Sequence, residues 1–201
     1  MKQSKRTPKK SPSLDRRDFI KTGATAAAVG SLSIERGAFA QASDTVKVAL
    51  IGCGGRGSGA ASQALSTNGD VKLVAMADAF KDRMDGSHKG LQTKHGLKAD
   101  VKDENKFVGY DAYKDAIAQA DMVILATPPG FRPVHFAEAV KQGKHVFMEK
   151  PVAVDGQGVR QVLAAAQEAK KKNLKVGVGL QRHHQLGYQQ VVQQIHDGAI
   201  G

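Results

Sequence analysis

The chain of 201 residues carries 30 Lys/Arg against 19 Asp/Glu, a formal charge of +11, with 41% apolar residues, no Trp and one Cys. That length allows one domain, or one and a fraction. Residues 1–40 hold nine basic and three acidic side chains and the remainder 21 and 16, so the bulk of the chain is only mildly basic; this excludes a nucleic-acid footprint, and the lone Cys53 excludes an internal disulfide.

Residues 1–40 read as an export signal. A basic start (Lys2, Lys5, Arg6, Lys9, Lys10) precedes Asp15-Arg16-Arg17-Asp18-Phe19-Ile20-Lys21, then a mildly apolar run of small residues, then Ala38-Phe39-Ala40 as an A-x-A cleavage signal. The Arg pair with Phe19 and Lys21 resembles a twin-arginine signal, with Asp15 in place of the usual Ser or Thr, and implies a folded protein exported to the periplasm. The apolar run is too short and too rich in Gly, Ser and Thr to span a membrane. Residues 41–201 read as the folded domain.

Val46–Ile51 is an apolar, β-branched strand that runs into Gly52-Cys53-Gly54-Gly55-Arg56-Gly57, a G-x-G-x-x-G spacing followed by an Ala-rich helix pattern to Leu65. In that context Gly52 permits a tight turn, Gly54 lets a pyrophosphate approach backbone, and Gly57 lets helix and strand pack closely. Cys53 fits there as a small residue rather than a redox group. Val71–Ala77 is a second strand ending at Asp78, which lies 26 residues after Gly52. An acid there accepts hydrogen bonds from the adenosine ribose and repels a 2′-phosphate, so NAD is expected over NADP; the same Asp also suits a helix cap.

From Ala79 the pattern is helical, then loosens through Gly86, Gly90 and Gly96 toward His95 and a polar connection, Ala99–Lys106. Lys106–Val108 is a third strand, Tyr110–Ala120 an amphipathic helix, and Asp121–Ala126 a fourth strand closed by Thr127-Pro128-Pro129-Gly130. Pro133–Gln142 is a helix with Pro in its first turn, Lys144–Met148 a fifth strand, and Asp155–Lys172 a long helix. Leu174–Gly179 is a sixth strand, followed by an extended Gln181-Arg182-His183-His184 and a final helix, Gln189–His196. Strands alternating with helices predict an α/β domain, a doubly wound parallel (Rossmann) sheet of order 3-2-1-4-5-6. Ligands bind such sheets at the carboxyl ends of the strands, where the Gly loop, Asp78, Thr127-Pro128, Glu149-Lys150-Pro151 and Gln181-Arg182 all fall. Lys150 can set its ammonium beside a substrate oxygen and stabilise developing negative charge, and partial burial would lower its pKa. Two adjacent His on an extended segment point opposite ways, which argues against a metal pair, and His135 reads as structural.

The ordered set Gly52–Gly57, Ala77-Asp78, Ala126-Thr127-Pro128-Pro129 with His135 and Ala139, and Gly143-Lys144-His145-Val146 leading to Glu149-Lys150-Pro151 resembles the glucose–fructose oxidoreductase/inositol dehydrogenase/rhizopine catabolism (Gfo/Idh/MocA) family. The resemblance covers about Val46 to Gly201. It implies that Gly52, Gly54, Gly55 and Gly57 line the pyrophosphate and Asp78 the ribose. It also implies that Thr127 and Pro128 run toward the nicotinamide, that Glu149 and Lys150 bracket it, and that Gln181 and Arg182 face the active site. Lys150 would be the catalytic residue, NAD the cofactor, a sugar or cyclic polyol the substrate, and no metal is implied. The family's α+β substrate domain, through which copies often pair, would begin after a segment like Asp197–Gly201, where this sequence stops, and no residue here matches the Asp and His that complete proton transfer. Three readings stay open: the front of an NAD-dependent oxidoreductase, an NAD-using glycoside hydrolase of the same fold, and a truncated, non-catalytic dinucleotide-binding module.

Overall fold

The computed structural model describes residues 45–201; the basic leader with Arg16-Arg17 and Ala38-Phe39-Ala40 lies outside them. Six strands, β1 (Val46–Ile51), β2 (Val71–Asp78), β3 (Lys106–Val108), β4 (Met122–Leu125), β5 (His145–Met148) and β6 (Val176–Val178), form one sheet in the order 3-2-1-4-5-6. Every neighbouring pair is parallel. The topology is the one expected from the alternating pattern.

The central strands are apolar on both faces because both are covered. Ala49, Ile51, Ala75 and Ala77 pack with Val123 and Leu125 under α3 (Tyr113–Ala118), α4 (Arg132–Lys141) and α5 (Gly156–Lys171). Val48, Leu50, Leu73, Met76 and Ile124 face the other way, under α1 (Gly55–Leu65) and α2 (Lys81–His95). Each fully buried Leu, Ile or Met in these layers contributes about 1.5–3 kcal/mol.

Several boundaries differ from the sequence reading. Helix α1 starts at Gly55, inside the glycine motif, rather than after it. Helix α2 does not loosen at Gly86 and Gly90: it is continuous to His95, because Met84, Ser87, His88 and Leu91 form one buried stripe that tertiary packing holds against glycine's poor helix propensity. It ends at Gly96, with φ +56°. The polar connection winds into two short 3₁₀ turns, Gly96–Ala99 and Asp103–Asn105. Helix α3 is shorter than Tyr110–Ala120, since Gly109, at φ +125°, and the following turn delay its start. Asp155 caps α5, its carboxylate accepting from Gly158 N–H at 2.6 Å.

After β6 the segment expected to be extended coils into a 3₁₀ turn, Gln181–His184, where His183 N–H donates to the Leu180 carbonyl. His183 and His184 therefore do not alternate across an extended segment as expected. The last helix, α6 (Leu186–His196), starts earlier than Gln189 and has no buried residue. No helix among the described residues is long and apolar enough to cross a membrane.

Candidate functional site

The carboxyl ends of β1, β2, β4, β5 and β6 carry two cavities that share Ala126 and Thr127. The glycine loop is built by contact as much as by conformation. Gly52 sits at φ +92°, and a Cβ there would lie 2.7 Å from Thr127 N and 2.8 Å from Ala126 C. A Cβ on Gly57 would lie 1.9 Å from the Gly52 carbonyl oxygen. A Cβ on Gly54 or Gly55 would meet nothing within 4 Å. Two of these glycines thus serve the fold, and two leave open backbone at the N-terminal end of α1, which no side chain caps. Open backbone at a helix N-terminus is what close approach of a phosphate requires.

Asp78, at the end of β2, is tied into this loop. Its Oδ2 accepts from Cys53 N–H at 2.6 Å and its Oδ1 from Phe80 N–H at 3.0 Å. It therefore braces the start of α2, whose N-cap position is Phe80, while lining the first cavity. Cys53 is buried, and burial, reinforced by the Asp78 charge, pushes its thiol up to about 12, so it is a packing residue at neutral pH.

The first cavity, of about 420 Å³, also contains Gly52, Gly54, Thr127 and Pro128. One wall is aromatic: Phe80, Tyr110, Tyr113 and Phe131. Tyr110 and Phe131 stack at 6.1 Å, and the Arg83 guanidinium lies 5.8 Å from the Phe80 ring centre. His135 also lines this cavity but is buried, stacked on Tyr113 at 4.2 Å and hydrogen-bonded through Nδ1 to Thr127 Oγ1 at 3.2 Å.

Burial, and then the nearby Arg132 charge, lower the His135 pKa from the ordinary 6.5 to about 4. Between those values the unfolded chain binds a proton that the folded chain excludes. The contribution is fully present above 6.5 and is lost as pH falls toward 4. His95 is depressed too, by burial and then by Lys94 and Lys98, and adds with the same sign. The thermal midpoint is expected to fall between about pH 7 and about pH 4.5, and His135→Gln to flatten part of that fall. An identical slope in the variant would remove His135 as its source.

The second cavity, of about 730 Å³, is lined by Arg56, Thr127, Arg132, Glu149, Lys150, Gln181 and Arg182 among others. Glu149 is 7% exposed. Its Oε1 accepts from Arg56 Nε at 2.7 Å and Nη2 at 2.6 Å. The carboxylate fits because residue 179 is Gly: a Cβ there would lie 2.8 Å from Oε2. Arg132, at the start of α4, is 1% exposed. Its Nη1 donates to the Pro151 carbonyl at 3.1 Å and its Nη2 to the Thr127 carbonyl, while Nε has no partner among the described residues. Lys150 lies between these two arrangements, is exposed, and precedes a cis peptide to Pro151. The partial desolvation expected of it is not supplied by the described residues. Gln181 and Arg182 sit on the 3₁₀ turn, and Arg182 hydrogen-bonds the Tyr188 hydroxyl.

The structure thus brings Gly52, Gly54, Asp78, Thr127 and Pro128 to one cavity and Thr127, Glu149, Lys150, Gln181 and Arg182 to the next. Gly55 and Gly57 line neither. Two residues were missed from sequence. Arg56 occupies an unspecified position of the glycine motif, and its one available signal was an Arg two residues past Gly54. Arg132 offered none, because an Arg at a helix start reads as solvated.

A glycine loop under a helix N-terminus, an acid ending β2 and a Lys two residues past β5 on one doubly wound sheet define the class: a dinucleotide-binding domain. Residues 46–179 match the family described as oxidoreductases with an NAD-binding Rossmann fold (GFO_IDH_MocA), and the chain belongs to that family. It is 32% identical over 161 residues to an inositol 2-dehydrogenase of Ralstonia nicotianae, covering 78% of this chain and 43% of that protein. It is 30% identical over 157 residues to the inositol 2-dehydrogenase of Rhizobium meliloti, covering 78% and 42%. The crystal structure of scyllo-inositol dehydrogenase from Lactobacillus casei with NAD(H) and scyllo-inositol superposes with a TM-score of 0.61 at 26% identity, over 78% of this chain and 42% of that one. The chain spans less than half the length of these relatives.

Proposed function

We propose that this chain is the nucleotide-binding part of an oxidoreductase that transfers hydride between a nicotinamide cofactor and a sugar or cyclic polyol, with NAD preferred to NADP. The observation that carries the reading is the continuity of one carboxyl edge. The open backbone of Gly54 and Asp78 lie in one cavity, Lys150 lies in the next, and Thr127 borders both.

When bound, the nicotinamide supplies the centre that accepts or donates hydride. The backbone N–H groups at Gly54 and Gly55 would meet the pyrophosphate, and Asp78 would accept from ribose hydroxyls with lone pairs not used by Cys53 and Phe80. The Lys150 ammonium would hydrogen-bond the reacting oxygen of the polyol and lower the cost of charge on it. The polyol assignment draws support from the inositol dehydrogenases to which the chain is similar.

Titrating the folded chain with NADH and following its fluorescence is expected to show one saturable site; no binding to a folded sample would remove the reading. Asp78→Ala is expected to erode NAD preference by roughly tenfold or more, the value of one or two hydrogen bonds to a charged group. The ratio of NAD to NADP affinity is the measurement, because loosening of the Cys53 and Phe80 contacts acts on both cofactors alike. An unchanged ratio would assign Asp78 to the loop alone.

A further inference from the structure

We propose that Arg56 and Arg132 are a pair of positioning residues that hold Lys150 from both sides; this rests on the cofactor-edge role of Lys150 given above. The residue before Lys150 is held by one guanidinium and the residue after it by the other. On the N-terminal side, Glu149 is buried and its Oε1 takes two N–H groups of Arg56, at 2.7 and 2.6 Å. The same carboxylate is closed in from behind by Gly179, where even a methyl group would come within 2.8 Å. On the C-terminal side, the Pro151 carbonyl takes Arg132 Nη1 at 3.1 Å, and the other arm of that guanidinium holds the Thr127 carbonyl.

Each brace reaches across elements. Arg56, in the first turn of α1, ties that helix start to the residue after β5, and Arg132, at the start of α4, ties the end of β4 to the turn after β5. The backbone of Lys150 is therefore referenced to the start of α1 and to the turn after β4, while its own side chain makes no hydrogen bond or ion pair among the described residues. A planar guanidinium is suited to this. It presents paired donors in fixed geometry, so it sets direction as well as distance, and buried Arg132 has no water to replace the carbonyls it holds. A chain that needed only a charge at these positions could use Lys. One that must point an ammonium at a fixed spot gains from two rigid forks, since a misplacement of about 1 Å can cost about 100-fold in rate.

The test uses this chain and a readout other than turnover: cofactor protection of Lys150 from an amine-acylating reagent, measured by mass spectrometry of the Lys150 peptide. With NADH at about ten times its Kd, mass action leaves roughly one site in ten free, so protection in the parent approaches tenfold. In Arg56→Met and Arg132→Met, protection is expected to fall below about twofold while the NADH Kd stays within about threefold, a smaller change than loss of one charged hydrogen bond. Arg56→Lys, which can restore a single bond to Glu149, is expected to recover an intermediate value.

Protection unchanged in a folded Arg56→Met protein overturns the proposal. So does a loss of protection matched by an equal loss of NADH affinity, which is the mark of a merely structural residue. A parent that binds NADH without protecting Lys150 overturns instead the placement of Lys150 on which the proposal rests, and a parent that does not bind NADH overturns the cofactor reading itself. If Arg132→Met does not fold, Arg56→Met decides, because the Arg56 side chain is 51% exposed.

Discussion

Gly57→Ala is expected to cost about 3 kcal/mol, the upper range for overpacking, which for a domain of this size lowers the thermal midpoint by roughly 6–12 °C. The added methyl would sit 1.9 Å from the Gly52 carbonyl oxygen and 3.1 Å from its carbon. The obstacle is backbone, so no side-chain rotation relieves it; α1 must lift from β1. Gly54→Ala is the paired control. Its Cβ meets nothing within 4 Å, and residue 54 already has φ −71° and ψ 179°, which any residue adopts. Its midpoint is expected to stay within about 2 °C of the parent, the usual range for a surface substitution, while NADH affinity drops about tenfold or more because the methyl occupies backbone a phosphate must reach. Scanning calorimetry and a cofactor titration on both variants separate a glycine kept for packing from one kept for a ligand. Equal melting losses at both positions would refute that division.

Under the proposed function, Lys150→Ala, made in a form of the protein that turns over a polyol, is expected to lower kcat by about 10²–10³ while NADH affinity changes by less than about twofold. Lys150 makes no side-chain hydrogen bond or ion pair among the described residues, so its loss removes none. The effect is therefore confined to whatever the ammonium touches when substrate is present. A kcat within a few-fold of the parent would leave Lys150 without a chemical role and return the Glu149-Lys150-Pro151 turn to structure alone. Comparison with Arg56→Met and Arg132→Met in the same assay then ranks the residue against its braces.

The topology was legible because each central strand is short, β-branched and bounded by a turn signal, and because the parallel arrangement follows from the helices between them. What the sequence obscured has identifiable causes. The helical run through Gly86 and Gly90 looked weak because propensity is local, whereas Met84 and Leu91 pack into the core beneath and His88 is hydrogen-bonded to the Ala99 carbonyl and the Val101 N–H. The stretch Gln181–His184 looked extended because nothing in its composition signals a 3₁₀ turn. Of the site, the glycine spacing, Asp78 and Glu149-Lys150 were readable, since each sits at the end of an apolar strand. The partner of Glu149 was not, because an ion pair across 93 positions leaves no periodic trace. Arg132 was hidden for a related reason: a guanidinium at 1% exposure is buried by bonding to carbonyls, and carbonyls have no sequence.

Cys53 carries a consequence for how this molecule can be watched. Its thiol is the chain's single sulfhydryl, lies at 3% exposure against the Ala77 carbonyl and is overwhelmingly protonated at neutral pH. A disulfide reagent therefore cannot reach or activate it until the packing around it opens. Its labelling rate is a built-in clock for local opening around the glycine loop, readable without introducing a new cysteine.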